Sequence, residues 1–221
     1  MNICGCKLIE LPFLRENLSG SSLLVVGERI GDEGIISTCL EKTNNIICTD
    51  LDGTQPNSLV EQLVKENKIK YIQADFTEFD ESQKFGQIAC INVLEHFGMC
   101  WGGHSSLMDW NYDLKGIEKM INLLEVDGKA IITVPAGPPI FYGDCLMPHG
   151  LPFLRRYDPT RMSIIRSFVK ERNIAVREKL FYSPNMRDWQ EVSESVLNTQ
   201  MASQHFDTPN FIWGFTLTKI K

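Results

Sequence analysis

Along the chain, short apolar runs of strand length alternate with longer stretches whose apolar residues recur at helical spacing. Residues 23–27 (LLVVG) form a continuous apolar run closed by glycine, the pattern of a parallel strand buried on both faces. The next segment, 32–43, places Ile35, Ile36, Cys39 and Leu40 on one helical face. Residues 46–49 predict a second strand and 56–67 a second helix, with Pro56 in its first turn and Leu59, Leu63 and Val64 as its inward stripe. Strands follow at 70–74 and 87–93, then a long connection at 97–112 and a helix at 114–124 carrying Ile117, Met120, Ile121 and Leu124. Val126, Asp127 and Gly128 turn the chain into a strand at 129–134, which Pro135 ends. From 136 to 158 glycines and prolines crowd among aromatics, marking a long irregular connection of the kind usually reserved for binding. A helix at 160–172, a strand at 176–182, a helix at 187–199 and an alternating strand at 211–218 complete the pattern. Seven strands in repeated βα units predict a doubly wound α/β fold, with a mostly parallel sheet, right-handed crossovers and helices on both faces.

The 221 residues suffice for one large domain with a well-buried core, and the 43% hydrophobic content is ordinary for a globular protein. A net charge of −6 without any lysine- or arginine-rich block leaves no nucleic-acid footprint and points to a small-molecule substrate, carbohydrate or anionic. Residues 1–17 carry charges within their apolar part and lack a basic leader, so no signal peptide is expected. No apolar stretch approaches the roughly 18 residues that span a bilayer, so the expectation is a cytoplasmic protein without a membrane partner. A homo-oligomer is compatible with this composition. The seven cysteines form an odd set scattered through apolar runs and read as core residues, and Cys4-Gly-Cys6 has no second Cys/His pair at zinc spacing, so no metal is expected.

In a sheet of this kind ligands bind beyond the carboxyl ends of the strands, at the point where the strand order reverses. The first strand ends in Gly27-Glu28-Arg29-Ile30-Gly31-Asp32-Glu33-Gly34, whose glycine spacing is not the dinucleotide fingerprint. The second ends at Asp50-Leu51-Asp52, where a carboxylate can accept hydrogen bonds from ribose hydroxyls, Asp50 first and Asp52 as its understudy. The third ends in Ala74-Asp75-Phe76, offering an acid and a ring to an adenine; either aspartate could equally cap a turn. A dinucleotide would present its pyrophosphate to the start of the first helix, where Asp32 and Glu33 would repel it. A sulfonium nucleoside carries no phosphate and is favoured by that sign, although the same two acids would also serve simply to stabilise the helix start.

These segments, together with Asn92-Val93-Leu94-Glu95-His96-Phe97 and Leu123-Leu124-Glu125-Val126-Asp127-Gly128-Lys129, resemble class I, Rossmann-like S-adenosylmethionine-dependent methyltransferases in order and spacing, from about residue 20 to the C-terminus. The resemblance implies a methyltransferase enzyme using S-adenosyl-L-methionine, a sheet whose last strand is antiparallel, and a single domain at 19–221. Residues 1–18 would pack on that domain, and the connections 97–112 and 136–158 would form a substrate-side lid. It further implies cofactor contacts from Gly27, Glu28, Arg29 and Gly31, from Asp50 and Leu51 at the ribose, from Asp75 and Phe76 at the adenine, and from Asn92 and Val93 beside the sulfonium. Two positions depart from the family: Val25 stands where an acid usually precedes the first glycine, and Arg29 replaces the usual middle glycine.

Methyl transfer to a hydroxyl calls for a base, for which His96, His104, His149 and Asp109 are the candidates. His96, just beyond the fourth strand, has the placement of a base but also that of a structural histidine. Trp101, Trp110, Tyr112, Phe141 and Tyr142 could stack on a sugar ring or simply cover the sheet end, and Arg155, Arg156 and Arg161 could clamp an anionic group or form a solvated face. A sugar or sugar-phosphate hydroxyl of a polysaccharide precursor is the acceptor these features suggest. Three readings compete: a non-catalytic methyltransferase-like scaffold, an NAD-dependent oxidoreductase and an aminopropyl transferase.

Overall fold

A computed structural model describes residues 5–31, 34–99, 109–138, 154–202 and 211–220. Helix α1 (Lys7–Asn17) precedes β1 (Leu23–Val26), α2 (Ile35–Leu40), β2 (Ile46–Asp50), α3 (Leu59–Lys65), β3 (Lys70–Gln73) and β4 (Phe85–Ile91). Then come α4 (Tyr112–Leu123), β5 (Leu124–Ala136), α5 (Pro159–Lys170), β6 (Ile174–Tyr182), β7 (Gln190–Val192), α6 (Glu194–Ala202) and β8 (Phe211–Lys219). The strands lie in one sheet in the order β3-β2-β1-β4-β5-β8-β6-β7. Strands β1 to β5 run parallel to one another, whereas β8 runs antiparallel to β5 and to β6.

Alternation along the central strands sends side chains to two cores. Leu24 and Val26 pack with Ile117 and Met120 of α4 and with Met162 and Ile165 of α5. Leu23 and Val25 pack on the opposite face with Phe13 and Leu14 of α1, with Ile36 of α2 and with Val60 of α3. Helices thus cover both faces, as continuous apolar strands demand. The helix starts are set locally. Ser58 caps α3 by accepting the Glu61 N–H at 3.1 Å, and Asp158 caps α5 by accepting the Arg161 N–H at 2.7 Å ahead of Pro159 at the first position.

Two details correct the sequence reading. The sheet has eight strands rather than seven, because part of the segment read as a helix at 187–199 is the edge strand β7, paired antiparallel with Leu180–Tyr182 of β6. Asn185 Oδ1 accepts the N–H groups of Arg187 and Asp188, and this turn ends in a strand before the helix can begin. The turn expected at Val126–Gly128 lies within β5 as an irregularity: five steps along β5, Leu124 to Lys129, oppose two along β4, Phe85 to Gln87, and Asp127 takes the left-handed φ of 63°.

The four cysteines in the described residues, Cys6, Cys39, Cys48 and Cys90, are buried, and burial pushes the Cys39 thiol up to about 12. Among the described residues, no helix is long and apolar enough to cross a membrane.

Candidate cofactor site

The chain leaves β1 for β2 and β3 on one side and returns to β4 on the other, so the strand order reverses between β1 and β4. A cavity of about 510 Å³ opens there, at the carboxyl ends of these strands. Its size falls within the range of about 300–1,000 Å³ usual for small-molecule sites. Nine of the ten predicted cofactor contacts line it: Gly27, Glu28 and Arg29 from the turn after β1, Asp50 at the end of β2 and Leu51 just beyond it, Asp75 and Phe76 beyond β3, and Asn92 and Val93 after β4. The tenth, Gly31, is not among the lining residues. It sits with φ 74° against Ile36 and Leu59, where a Cβ would lie 2.8 Å from that of Leu59, and its N–H donates to the Glu28 carboxylate.

The turn after β1 is tightly specified. Gly27 has φ 77°, its N–H donates to Thr49 O at 2.7 Å, and a Cβ on it would come within 2.6 Å of both Val93 methyls. Only glycine fits there. Arg29 can stand in the usual glycine position because its guanidinium runs out to Asp52, with Nη1 2.8 Å from Oδ2. Asp52, the alternative ribose ligand, is therefore engaged by Arg29. Carbonyls of the same turn accept from Gln55 and Val60, which ties the loop to the start of α3.

Asp50 Oδ1 accepts the Asp52 N–H at 3.0 Å, which orients the carboxylate, and burial pushes its carboxyl above the ordinary range. Asp75 does what the capping alternative anticipated and still faces the cavity. Its Oδ1 accepts from Thr77 N–H and Oγ1–H, at 2.9 and 2.8 Å, and its Oδ2 accepts from the Tyr112 hydroxyl at 3.3 Å. Asn92 holds φ 57°, a conformation rare outside glycine and common at functional sites, with its N–H donated to Thr133 O.

Of the base candidates, His96 lines the cavity, whereas His104 and His149 lie outside the described residues, as do Asp32, Glu33, Trp101, Phe141 and Tyr142. Asp109 is a poor base: the Asn111 N–H and the Lys115 ammonium hold its carboxyl below the usual range. Arg155 and Arg161 do not form an anion clamp. Arg155 is 5% exposed and lies 2.7 Å from the fully buried Asp113, with further bonds to the carbonyls of Phe97 and Trp110. Arg161 pairs with the same carboxylate and with Asn111 and the Trp110 carbonyl. The cluster thus ties down the backbone at Phe97 and at 109–113, from which Phe97, Asp109 and Tyr112 face the cavity.

Sequence reasoning missed two features. Thr49 of β2 is fully buried, lines the cavity, and its Oγ1 makes no hydrogen bond. Lys7 of α1 lines it as well, 6% exposed, beside the buried Glu10. The N-terminal helix held a hint of this, since Lys7, Glu10 and Leu14 recur at helical spacing and put two charges on an apolar stripe.

No family model matches the chain, and neither does any curated protein. Solved structures do resemble it. The 1,6-didemethyltoxoflavin-N1-methyltransferase of Burkholderia thailandensis, with bound 1,6-didemethyltoxoflavin and S-adenosylhomocysteine, superposes with a TM-score of 0.63 at 14% identity over 98% of this chain and 79% of its own. The N-methyltransferase NodS of Bradyrhizobium japonicum WM9, in complex with S-adenosylhomocysteine, gives 0.57 at 12% identity over 97% and 86%. Phosphoethanolamine N-methyltransferase 2 of Haemonchus contortus, with S-adenosylmethionine, gives 0.59 at 14% identity over 96% and 52%. With the antiparallel β8 inserted between β5 and β6, and the short β7 antiparallel at the edge of an otherwise parallel doubly wound sheet, the chain has the class I, Rossmann-like S-adenosylmethionine-dependent methyltransferase fold.

Proposed function

We propose that the chain transfers the methyl group of S-adenosylmethionine to a small-molecule acceptor. The observation that carries this reading is the cavity at the strand-order reversal of a methyltransferase-fold sheet, with a carboxylate at the end of β2 and a carboxylate and ring beyond β3. Asp50, oriented by the Asp52 N–H, accepts from the ribose hydroxyls. Asp75 and the buried Phe76 serve the adenine edge and face. Gly27 leaves room for a ligand to pass against backbone, and the unpartnered Thr49 hydroxyl offers a further polar contact.

Charge selects among nucleosides. Among the described lining residues the acids are Glu28, Asp50, Asp75 and Asp109 and the cations Lys7 and Arg29, the latter already paired with Asp52. This negative surplus favours a sulfonium cation and opposes a pyrophosphate. When bound, the cofactor supplies a methyl carbon activated by its sulfonium. The chain's part is to align an acceptor, to exclude water and, for a hydroxyl, to accept its proton. His96, next to the Asn92–Val93 end of β4, takes that proton on this reading, with His104 and His149 as further candidates. The finer reading is a sugar or sugar-phosphate hydroxyl, supported by the aromatic and histidine content of 97–112 and 136–158.

Calorimetric titration with S-adenosylmethionine, S-adenosylhomocysteine and NAD tests the reading, followed by transfer of labelled methyl to a panel of sugars, sugar phosphates and amines. The expected result is binding of the first two and label on a sugar. Binding of NAD alone overturns the assignment, binding of none favours a scaffold, and label on amines only corrects the acceptor class.

A further inference from the structure

Beyond His96 the cavity wall is built from the ends of the connection that joins β4 to α4. Phe97, Gly98, Met99, Asp109 and Tyr112 line it, and Tyr112 opens α4. Asp109 is set firmly: its N–H donates to Gly98 O at 3.1 Å, its carbonyl accepts from Arg155 at 3.4 Å, and its Oδ1 accepts the Asn111 N–H at 2.9 Å. Its Oδ2 lies 3.0 Å from the Lys115 ammonium, which also stands 4.7 Å from the centre of the Tyr112 ring. The fold thus already seats an ammonium between this carboxylate and this ring. Lys115 is itself 57% exposed and is not among the lining residues, so its head can move into water at little cost, because an exposed ion pair adds little to stability.

Charge at this edge of the sheet runs one way. Arg155 and Arg161 are taken by Asp113, Arg29 by Asp52 and Lys7 by Glu10. The connections 100–108 and 139–153 leave and rejoin the described fold at this edge and 203–210 enters β8 there; their sequences contain no lysine or arginine, and their acids are Asp144 and Asp207. An anionic acceptor therefore finds no uncommitted cation among the described lining residues. A cationic one meets Asp109, held ionised by the Asn111 N–H and Lys115, beside the rings of Phe97 and Tyr112. We propose that the acceptor carries an ammonium group, which Asp109 and Tyr112 bind in place of Lys115. The inference rests on the methyltransferase reading; it narrows the sugar acceptor to one whose ring bears an amino group and sets the sugar phosphate aside. Lys115 is a stand-in that keeps the carboxylate ionised and aimed until an ammonium held inside the cavity outcompetes it. The ammonium is a handle and not the accepting atom, since a protonated nitrogen has no lone pair to offer the methyl group.

Glucosamine, glucose and glucose 6-phosphate share a ring and differ in charge, so titrating each into the full chain saturated with S-adenosylhomocysteine, by calorimetry at pH 7, isolates the effect. Glucosamine should bind about tenfold more tightly than glucose, and glucose 6-phosphate more weakly than either. Asp109→Asn, which keeps an oxygen for the Asn111 N–H, should bring glucosamine to within about twofold of glucose. Lys115→Met should act in the opposite sense and tighten glucosamine by about threefold, because the competing ammonium is gone. A merely structural ion pair predicts instead that both substitutions weaken all three sugars alike. Glucose or glucose 6-phosphate bound as tightly as glucosamine, a weaker glucosamine complex in Lys115→Met, or no sugar bound by the loaded chain would overturn the inference and leave the methyltransferase reading standing. A chain that binds no S-adenosylhomocysteine overturns that reading, and the inference falls with it.

Discussion

On one side of the cavity Asp113, Arg155 and Arg161 form a buried network in which almost every polar group is engaged; only Arg155 Nε lacks a partner. On the other side Lys7, Glu10 and Glu95 form a network in which a carboxylate oxygen of each glutamate makes no hydrogen bond. Both are buried, charged and close to the cavity, so burial alone does not separate them. Completeness does. The satisfied network ties α4 and α5 to the carbonyls of Phe97 and Trp110 and acts as a rivet. The other leaves two glutamate oxygens without hydrogen-bond partners beside a lysine that lines the cavity, so it ties less of the fold together.

The largest predicted effect breaks the rivet. Arg155→Met leaves the buried Asp113 short of one partner, a loss of about 3–5 kcal/mol that lowers the midpoint of thermal unfolding by about 10 °C. An unchanged midpoint in scanning calorimetry would show that the network holds nothing. Next, His96→Gln should cut the methyl-transfer rate by about 100-fold while S-adenosylhomocysteine affinity stays within about twofold; retention of full rate assigns the proton to another group. Asp50→Ala should weaken S-adenosylhomocysteine by about 30-fold through lost ribose hydrogen bonds, and undiminished affinity by calorimetry removes Asp50 from the site.

The smallest effect sharpens the contrast from the unsatisfied side. Burial raises the Glu95 carboxyl from the ordinary 4.5 to about 8, so the folded chain holds this proton more firmly than the unfolded chain. That contribution is complete below pH 4.5 and is lost as pH rises through 8. Glu95→Gln stays neutral throughout, so it should match wild type in acid and unfold about 5 °C higher at about pH 9. Parallel pH curves for the two proteins would mean that Glu95 is charged in the fold.

Much of this site could be read from the chain because strand ends are locally encoded. Short apolar runs stopping at Gly27, Asp50 and Asp75 announce where the sheet's carboxyl edge lies, and the topology brings those stops together. The helix read over 187–199 failed for a physical reason. Trp189, Val192 and Val196 recur at helical spacing, yet the Asn185 turn and the free edge of β6 turn the first half of the segment into a strand. The roles of Arg155 and Arg161 could not be seen either, because their partner Asp113 is 42 and 48 residues away and only folding brings it near. Lys7 escaped for a similar reason. Its neighbours in sequence suggest an outer helix, and its place beside the cavity depends on Glu10 meeting Thr133, 123 residues further on.

The central claim is that a sulfonium nucleoside lies across the carboxyl ends of β1 to β4. A crystal structure of the full chain grown with S-adenosylhomocysteine tests it most directly. The account predicts the ribose hydroxyls on the Asp50 carboxylate, the adenine beside Asp75 and Phe76, and the amino-acid tail past Gly27 toward Asn92 and Val93. A nucleoside bound elsewhere on the chain, with this cavity holding none, would contradict it.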